Sequence, residues 1–311
     1  MFQFIQRIHR RDRGQILVIF AVALVAIVAM VGLVLDGGAA FAQRRSQQNA
    51  SDLASLAGAN TYLLTGDANA TIAAARAVAA QNGWVQGVDS VNIPVTISTS
   101  NGVHVTVNVD APHHNNFGSI VGMSTFQVGT TATALSGYPD TAEAAGPFIF
   151  SIDAFDINGV PKAQYGNKNA PYAFGETNGD VPTSPGDLAW TNYGTGNLNT
   201  NDVSDIINGS LVITKTLAFG EYIGQHNNGN HTALYTDVET YLEGKDLAIP
   251  VVDHNGNFQG WATFHVTNSD KGNKHIEGYF KAPFVNQTLS VGTCTVSCPR
   301  YLGSFVLKLI N

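Results

Sequence analysis

Residues 13–59 read RGQILVIFAVALVAIVAMVGLVLDGGAAFAQRRSQQNASDLASLAGA, and the rest of the chain is organised around them. The run Ile16–Leu35 carries no charge. At 1.5 Å per helical residue, about 20 residues span roughly 30 Å, the thickness of one hydrocarbon core. Arg7, Arg10, Arg11 and Arg13 stand before this run, and Asp36 closes its far end. A basic flank on the short side predicts that residues 1–15 stay in the cytoplasm while the bulk of the chain is exported. Arg44 and Arg45 lie beyond the run but are fewer. The rival reading is a cleaved secretory signal, with Ala40-Phe41-Ala42 as its A-x-A site. A signal core is usually only about 7–15 residues, so a retained single-pass anchor in the cell membrane is expected, with the lipid bilayer as first partner.

Working outward, Asp36-Gly37-Gly38 predicts a break, after which Ala39–Leu64 resumes a helical pattern. Ala50, Leu53, Ala54 and Ala57 fall at i, i+3, i+4 and i+7 and form one narrow apolar face. Such a face permits close approach to another helix, including a second copy in a self-associated assembly. It equally suits packing on the unit's own sheet. Asp67-Ala68-Asn69 begins a second, Ala-rich helix ended by Gly83. Val91–Thr99 and Val103–Val109 alternate around Ser100-Asn101-Gly102 as a hairpin, Phe117–Gly122 reads as a short helical turn, and Phe126–Leu135 as a third strand. Residues 36–137 are thus a helix-plus-β-meander unit.

Residues 138–146, YPDTAEAAG, lack apolar periodicity and read as a linker. Residues 147–311 read as a mostly β domain, sandwich-like or barrel-like, with strands at Phe148–Ile152, Leu211–Leu217, Leu247–Val252, Gly260–Val266, His275–Lys281 and Ser304–Leu309. Short helices are expected at Asp202–Ile207 and Thr232–Leu242. The fold class is α+β: a transmembrane helix at 16–35, a helical and β-meander unit, then a β-rich domain.

Composition narrows the function classes. Only 13% of residues are charged, while Gly occurs 32 times, which favours a turn-rich exported protein over a soluble metabolic enzyme. The net charge of −7 is uneven: residues 36–311 hold 12 basic and 22 acidic side chains. Phosphate binding needs a basic patch, so this acidic balance disfavours nucleic acid and none is expected as a partner. Cys294 and Cys298 are the only cysteines, and outside the cytoplasm the short CTVSC loop reads as a disulfide or, failing closure, two free thiols.

Motifs that carry chemistry are missing. No phosphate-binding loop, G-x-S-x-G elbow, S-x-x-K pair or H-E-x-x-H is present. Asp253–Asn257 lacks the downstream Glu of a calcium loop and reads as a hairpin turn. His254, His265 and His275 lie on or beside consecutive strands and would make a three-histidine site if they converged, but their spacing fits ordinary surface or core histidines better. Glu176, Asp180 and Asp187 lie in a loop composition that usually leaves acids solvated. Trp190, Tyr193, Tyr222, Tyr235, Tyr241 and Trp261 would serve a sugar-stacking platform or, more commonly, fill a β core. No catalytic residue, cofactor or metal is expected.

Arg13-Gly14-Gln15, Asp36-Gly37-Gly38 and the run Gln48–Ala59, in this order and spacing, resemble the N-terminal module of the TadE/TadG-like proteins of Flp (tight-adherence) pilus assembly. The resemblance implies a non-catalytic, membrane-anchored assembly component whose partners are pilus or secretion-system proteins. Prepilins of this class place a Glu five residues after the processed Gly. Here that residue is Ile19, which points to a retained component and not a processed pilin. Larger TadG-like members carry a von Willebrand factor A domain with a D-x-S-x-S motif, which is missing here. Other classes of function remain open: a surface-anchored adhesion or carbohydrate-recognition module, and, less favoured, an anchored extracytoplasmic enzyme.

Overall fold

The computed structural model describes residues 12–99, 102–177, 181–194, 198–223, 231–291 and 300–310. Helix α1, Asp12–Thr65, is a single element of 54 residues, about 80 Å long. The expected break at Asp36-Gly37-Gly38 does not occur. Two glycines inside a helix cost only about 1 kcal/mol each against Ala, and the outer half is held by packing that outweighs this. Ile16–Leu35 stays exposed along its length except at Gly32. Helix α2, Ala68–Gln81, is capped by the Asp67 carboxylate, which accepts from Asn69 N and Ala70 N.

Beyond Asp36, α1 packs on three antiparallel strands, β2 (Val103–His114), β3 (Thr125–Gly137) and β14 (Ser304–Ile310), while β1 (Val95–Ser98) extends the sheet from β2 beside α2. A two-residue strand β12, Phe284–Val285, pairs in parallel with β14 at the edge. Alternation works as it should in β2, where Val105, Val107, Val109 and Ala111 bury one face against the helix. The C-terminal strand therefore completes the sheet of the first unit. Residues 138–146, read as a linker, hold β4 (Pro139–Ala142), which pairs with β13 (Leu289–Val291) and β8 (Lys215–Thr216).

The remaining strands close a barrel: β5 (Phe148–Ser151), β6 (Tyr172–Glu176), β7 (Asp187–Trp190), β9 (Asp246–Val252), β10 (Phe258–Asp270) and β11 (His275–Lys281), in the order β10-β11-β6-β7-β5-β9. Phe148, Phe150, Phe174, Phe264 and Phe280 fill it, each contributing about 1.5–3 kcal/mol on burial. Helices α3 (Thr200–Asn208) and α4 (Thr232–Tyr241) add Val203, Ile207, Leu234 and Val238 to the same core. A further core joins barrel to sheets: Trp261, Ile149 and Phe258 meet Ala142, Leu289 and Val306. There the Trp261 indole donates to Asp140 O at 3.1 Å.

Candidate functional site

The arrangement that ties the apolar helix to the folded domain begins at Asp36. Its carboxylate is buried and accepts backbone hydrogen bonds from Asn116 (2.9 Å), Phe117 (3.0 and 3.2 Å) and Gly118 (2.7 Å). These amides open the 3-10 turn Gly118–Val121 at the tip of the β2–β3 hairpin. The side chain thus satisfies the donors a helical start leaves free. Burial pushes the carboxyl up, but the bonds from Gly118, Phe117 and Asn116, with His113 nearby, outweigh it and hold the group below the ordinary carboxylate range. One turn inward, Gly32 lies under the Phe117 ring, where a Cβ would come within 2.8 Å of Phe117 Cβ.

Outward from Asp36, polar side chains of α1 stitch the helix to the ribbon. Gln43 Nε2 donates to Pro112 O, which leaves its Oε1 to accept from His113 Nδ1 at 2.7 Å. Gln47 is buried and donates to Val109 O and Val128 O, bridging both strands of the hairpin. Ser51 Oγ lies 2.9 Å from Thr130 Oγ1, and Ser136 Oγ donates to Ala59 O. Gly58 brings the helix so close to the sheet that a Cβ there would meet Val105 at 2.9 Å.

The packed face differs from the one periodicity predicts. Ala50 and Ala54 are fully buried, but Leu53 is 48% exposed and Ala57 only partly covered. The buried positions are Gln47, Ala50, Ser51, Ala54, Ser55, Gly58 and Ala59. Serines enter this interface because their hydroxyls bond locally, Ser51 to Gln47 O and Ser55 to Asp52 O. Hydrophobicity alone therefore points some 100° away from the true face. A run of Gln, Ser, Gly and Ala at i, i+3/i+4 spacing was the signal available. Arg13 lies in the first turn of α1, whereas Arg10, Arg11, Cys294 and Cys298 lie outside the described residues.

Residues 14–61 match the TadE/G-like Flp pilus-assembly family. The TadE/G-like match begins ahead of the apolar run, passes Asp36 and ends four residues before the end of α1. It thus takes in both the exposed apolar half of the helix and the half that packs on the sheet. No curated protein and no solved structure matches the chain.

Elsewhere, the titratable groups pair off separately. His254 bonds Asp153, His265 bonds Asp246, and His275 bonds Glu277, so the three do not converge. Among the described residues, no group of three or more His, Cys, Asp or Glu is placed to hold a metal. Glu176 does meet partners inside the barrel end: its carboxylate lies 2.5 Å from His231 Nδ1 and accepts from Tyr235 Oη at 2.9 Å. His231 and Tyr235 are buried, and burial together with the Glu176 charge pushes the tyrosine hydroxyl far above its ordinary value. Trp190, Tyr235 and Trp261 are core residues, while Tyr222 and Tyr241 are about half exposed.

Proposed function

We propose that this chain is a non-catalytic, single-pass membrane protein of Flp-type pilus assembly, with residues 1–15 in the cytoplasm and the folded bulk outside. The observation that carries the reading is the continuity of α1. One helix of the TadE/G-like type is apolar and exposed over 16–35, then packed by Asp36, Gln43 and Gln47 onto a folded domain. The apolar half of such a helix needs a bilayer, since about 20 exposed residues in water would aggregate. Retention of the anchor is supported by the same geometry. Cutting after Ala42 would remove Asp36 and strip the hairpin tip of its acceptor.

The outward side of the outer half, where Leu53 is exposed, is the surface offered to pilus partners or to a second copy. The test is purification of the full chain from solubilised membranes of pilus-forming cells, with reporter fusions at each terminus. Pilus-assembly proteins should co-purify, and only the C-terminal reporter should be accessible from outside. Release of the chain by alkaline carbonate, or no enrichment of pilus proteins over a mock purification, would refute the reading.

A further inference from the structure

A crevice of about 750 Å³ runs between α1 and the tip of the β2–β3 hairpin. Leu24, Val25 and Val28 form one wall, and Phe117, Ile120 and Met123 the other. Ile120 is 81% exposed and Met123 68%, so the tip offers apolar side chains to whatever surrounds the helix. Counting inward from Leu35, Gly32 beneath Phe117 lies about 4 Å below the edge of the apolar run and Leu24 roughly 16 Å. In a hydrocarbon layer of about 30 Å the crevice then reaches the midplane. A hairpin beside this part of the helix cannot stay in water if the helix spans the bilayer.

Irregular backbone enters hydrocarbon only where its polar groups are satisfied within the protein. The tip meets that condition for the amides that follow, whereas Asn115 Oδ1 is buried without a partner among the described residues. Asn116, Phe117 and Gly118 N–H donate to Asp36. Ile120 N–H donates to Phe117 O, Gly122 N–H to Ser119 O and Met123 N–H to Gly118 O. The Asn115 amide donates to Met123 O at 2.9 Å. Among the described residues, Asp36 is the one charged residue lining the crevice, and its oxygens are occupied by these amides.

Gly37 and Phe126 also border a second groove of about 380 Å³ on the domain side, whose lining includes Arg44. The two grooves share Gly37 and Phe126; the first is apolar toward the bilayer centre and the second carries Arg44 among Ala40, Phe41 and Gln127 on the domain side, an order of polarity that matches a phospholipid. We propose that the hairpin tip is immersed in the leaflet facing the domain, and that the crevice holds an acyl chain of one phospholipid whose phosphate lies toward Arg44. This rests on the membrane-anchor reading above. An apolar partner segment filling the same crevice is the competing occupant.

The full chain, reconstituted in phosphatidylcholine vesicles with and without lipid brominated along the acyl chain, tests both parts. Tryptophan is introduced as Val22→Trp in the span, Met123→Trp at the tip, and Ile157→Trp on the exposed surface of the barrel. Val22→Trp and Met123→Trp should both lose emission in brominated vesicles, and Ile157→Trp should lose no more than the unaltered chain. Loss for Val22→Trp without loss for Met123→Trp would overturn the proposal while leaving the anchor intact. No loss for Val22→Trp would defeat the anchor reading itself, and the proposal with it. The crevice is tested by phospholipid retained per chain after detergent exchange. Ala29→Trp, which fills the crevice from the helix side, should lose the retained lipid. Retention equal to the unaltered chain would overturn the acyl-chain site.

Discussion

The Asp36 carboxylate lies 2.7 Å from the amide nitrogen of Gly118, a residue 82 positions later in the chain. This contact joins the last residue before the packed half of α1 to the start of the turn at the tip of the β2–β3 hairpin. A carboxylate at the end of an apolar run would ordinarily face water. Here it is turned inward and used to close the tip, so that helix and hairpin leave the folded domain together.

Replacing Asp36 with Ala should free residues 115–124 without releasing the chain from the membrane, because Ile16–Leu35 is unchanged. Hydrogen exchange of the amides of Asn116, Phe117 and Gly118 should rise, while that of β10 and β11 stays as before. The pH dependence has a definite sign. Since the folded carboxyl titrates below the ordinary value of 3.8, docking of the tip is fully present above that pH and is lost as pH falls further below it. Exchange at these amides, corrected for the intrinsic pH effect, should increase only in that acidic window.

Gly32→Ala should weaken the same docking. Ala is favoured over Gly in a helix by about 1 kcal/mol, but its methyl would sit 2.8 Å from Phe117 Cβ, an atom that cannot swing away without moving the tip. Overpacking of this kind costs about 1–3 kcal/mol. The double variant Gly32→Ala with Phe117→Ala should recover most of the loss, giving a coupling of at least about 0.5 kcal/mol in a double-mutant cycle. Additive effects of the two substitutions would show that the contact does not constrain the tip.

The extent to which this fold is legible in the chain follows from where its information lies. The apolar run, the Asp67 cap and the alternating β2 and β3 are local patterns, and each stands within a few residues of its expected bounds. Strands β6 and β7 escaped notice because YAFGE and DLAW are short and flanked by Gly, Asn and Pro. The return of β14 to β3 is a pairing across more than 160 residues, which no window of sequence can register. The Asp36 site was visible only as a flank. Its acceptors' partners are backbone amides, and amides leave no mark in residue type.

The orientation of α1 on its sheet is tested by charge. Ala54→Glu places a carboxylate on a fully buried position facing β2 and β3, and an unpaired buried charge costs about 3–5 kcal/mol. The variant should melt far below the unaltered chain in detergent. Leu53→Glu, on the exposed side, should change stability by no more than about 0.5 kcal/mol. If Leu53→Glu also abolishes co-purification of pilus proteins, the outward face is the partner surface. Equal destabilisation by both would mean that the helix is rotated from the position described.

Glu176→Ala should leave His231 Nδ1 without its partner and take from the Tyr235 hydroxyl one of its two acceptors, leaving Lys274 O. Stranding a buried polar group costs about 1–3 kcal/mol, so the melting temperature should fall. Glu176→Gln, which retains an acceptor for Tyr235, should fall less. Urea melts followed by tryptophan emission report on this directly, because Trp190 lies 5.5 Å from Tyr235.

Removing residues 304–311 tests whether the two ends of the chain form one folded unit. Val306–Ile310 pair with Thr133–Gly137, and Phe305 and Val306 are buried. Without β14 the inner part of β3 becomes an open edge with a row of unpaired backbone groups, and the buried side chains forfeit about 1.5–3 kcal/mol each. The expected outcome is proteolysis within residues 95–137 and aggregation after solubilisation, even though the deletion lies far from them in sequence. Addition of a peptide spanning 300–311 should restore protection if the loss is confined to strand pairing. A truncated chain whose meander resists protease as well as the full chain would show that residues 36–137 fold without their C-terminal strand.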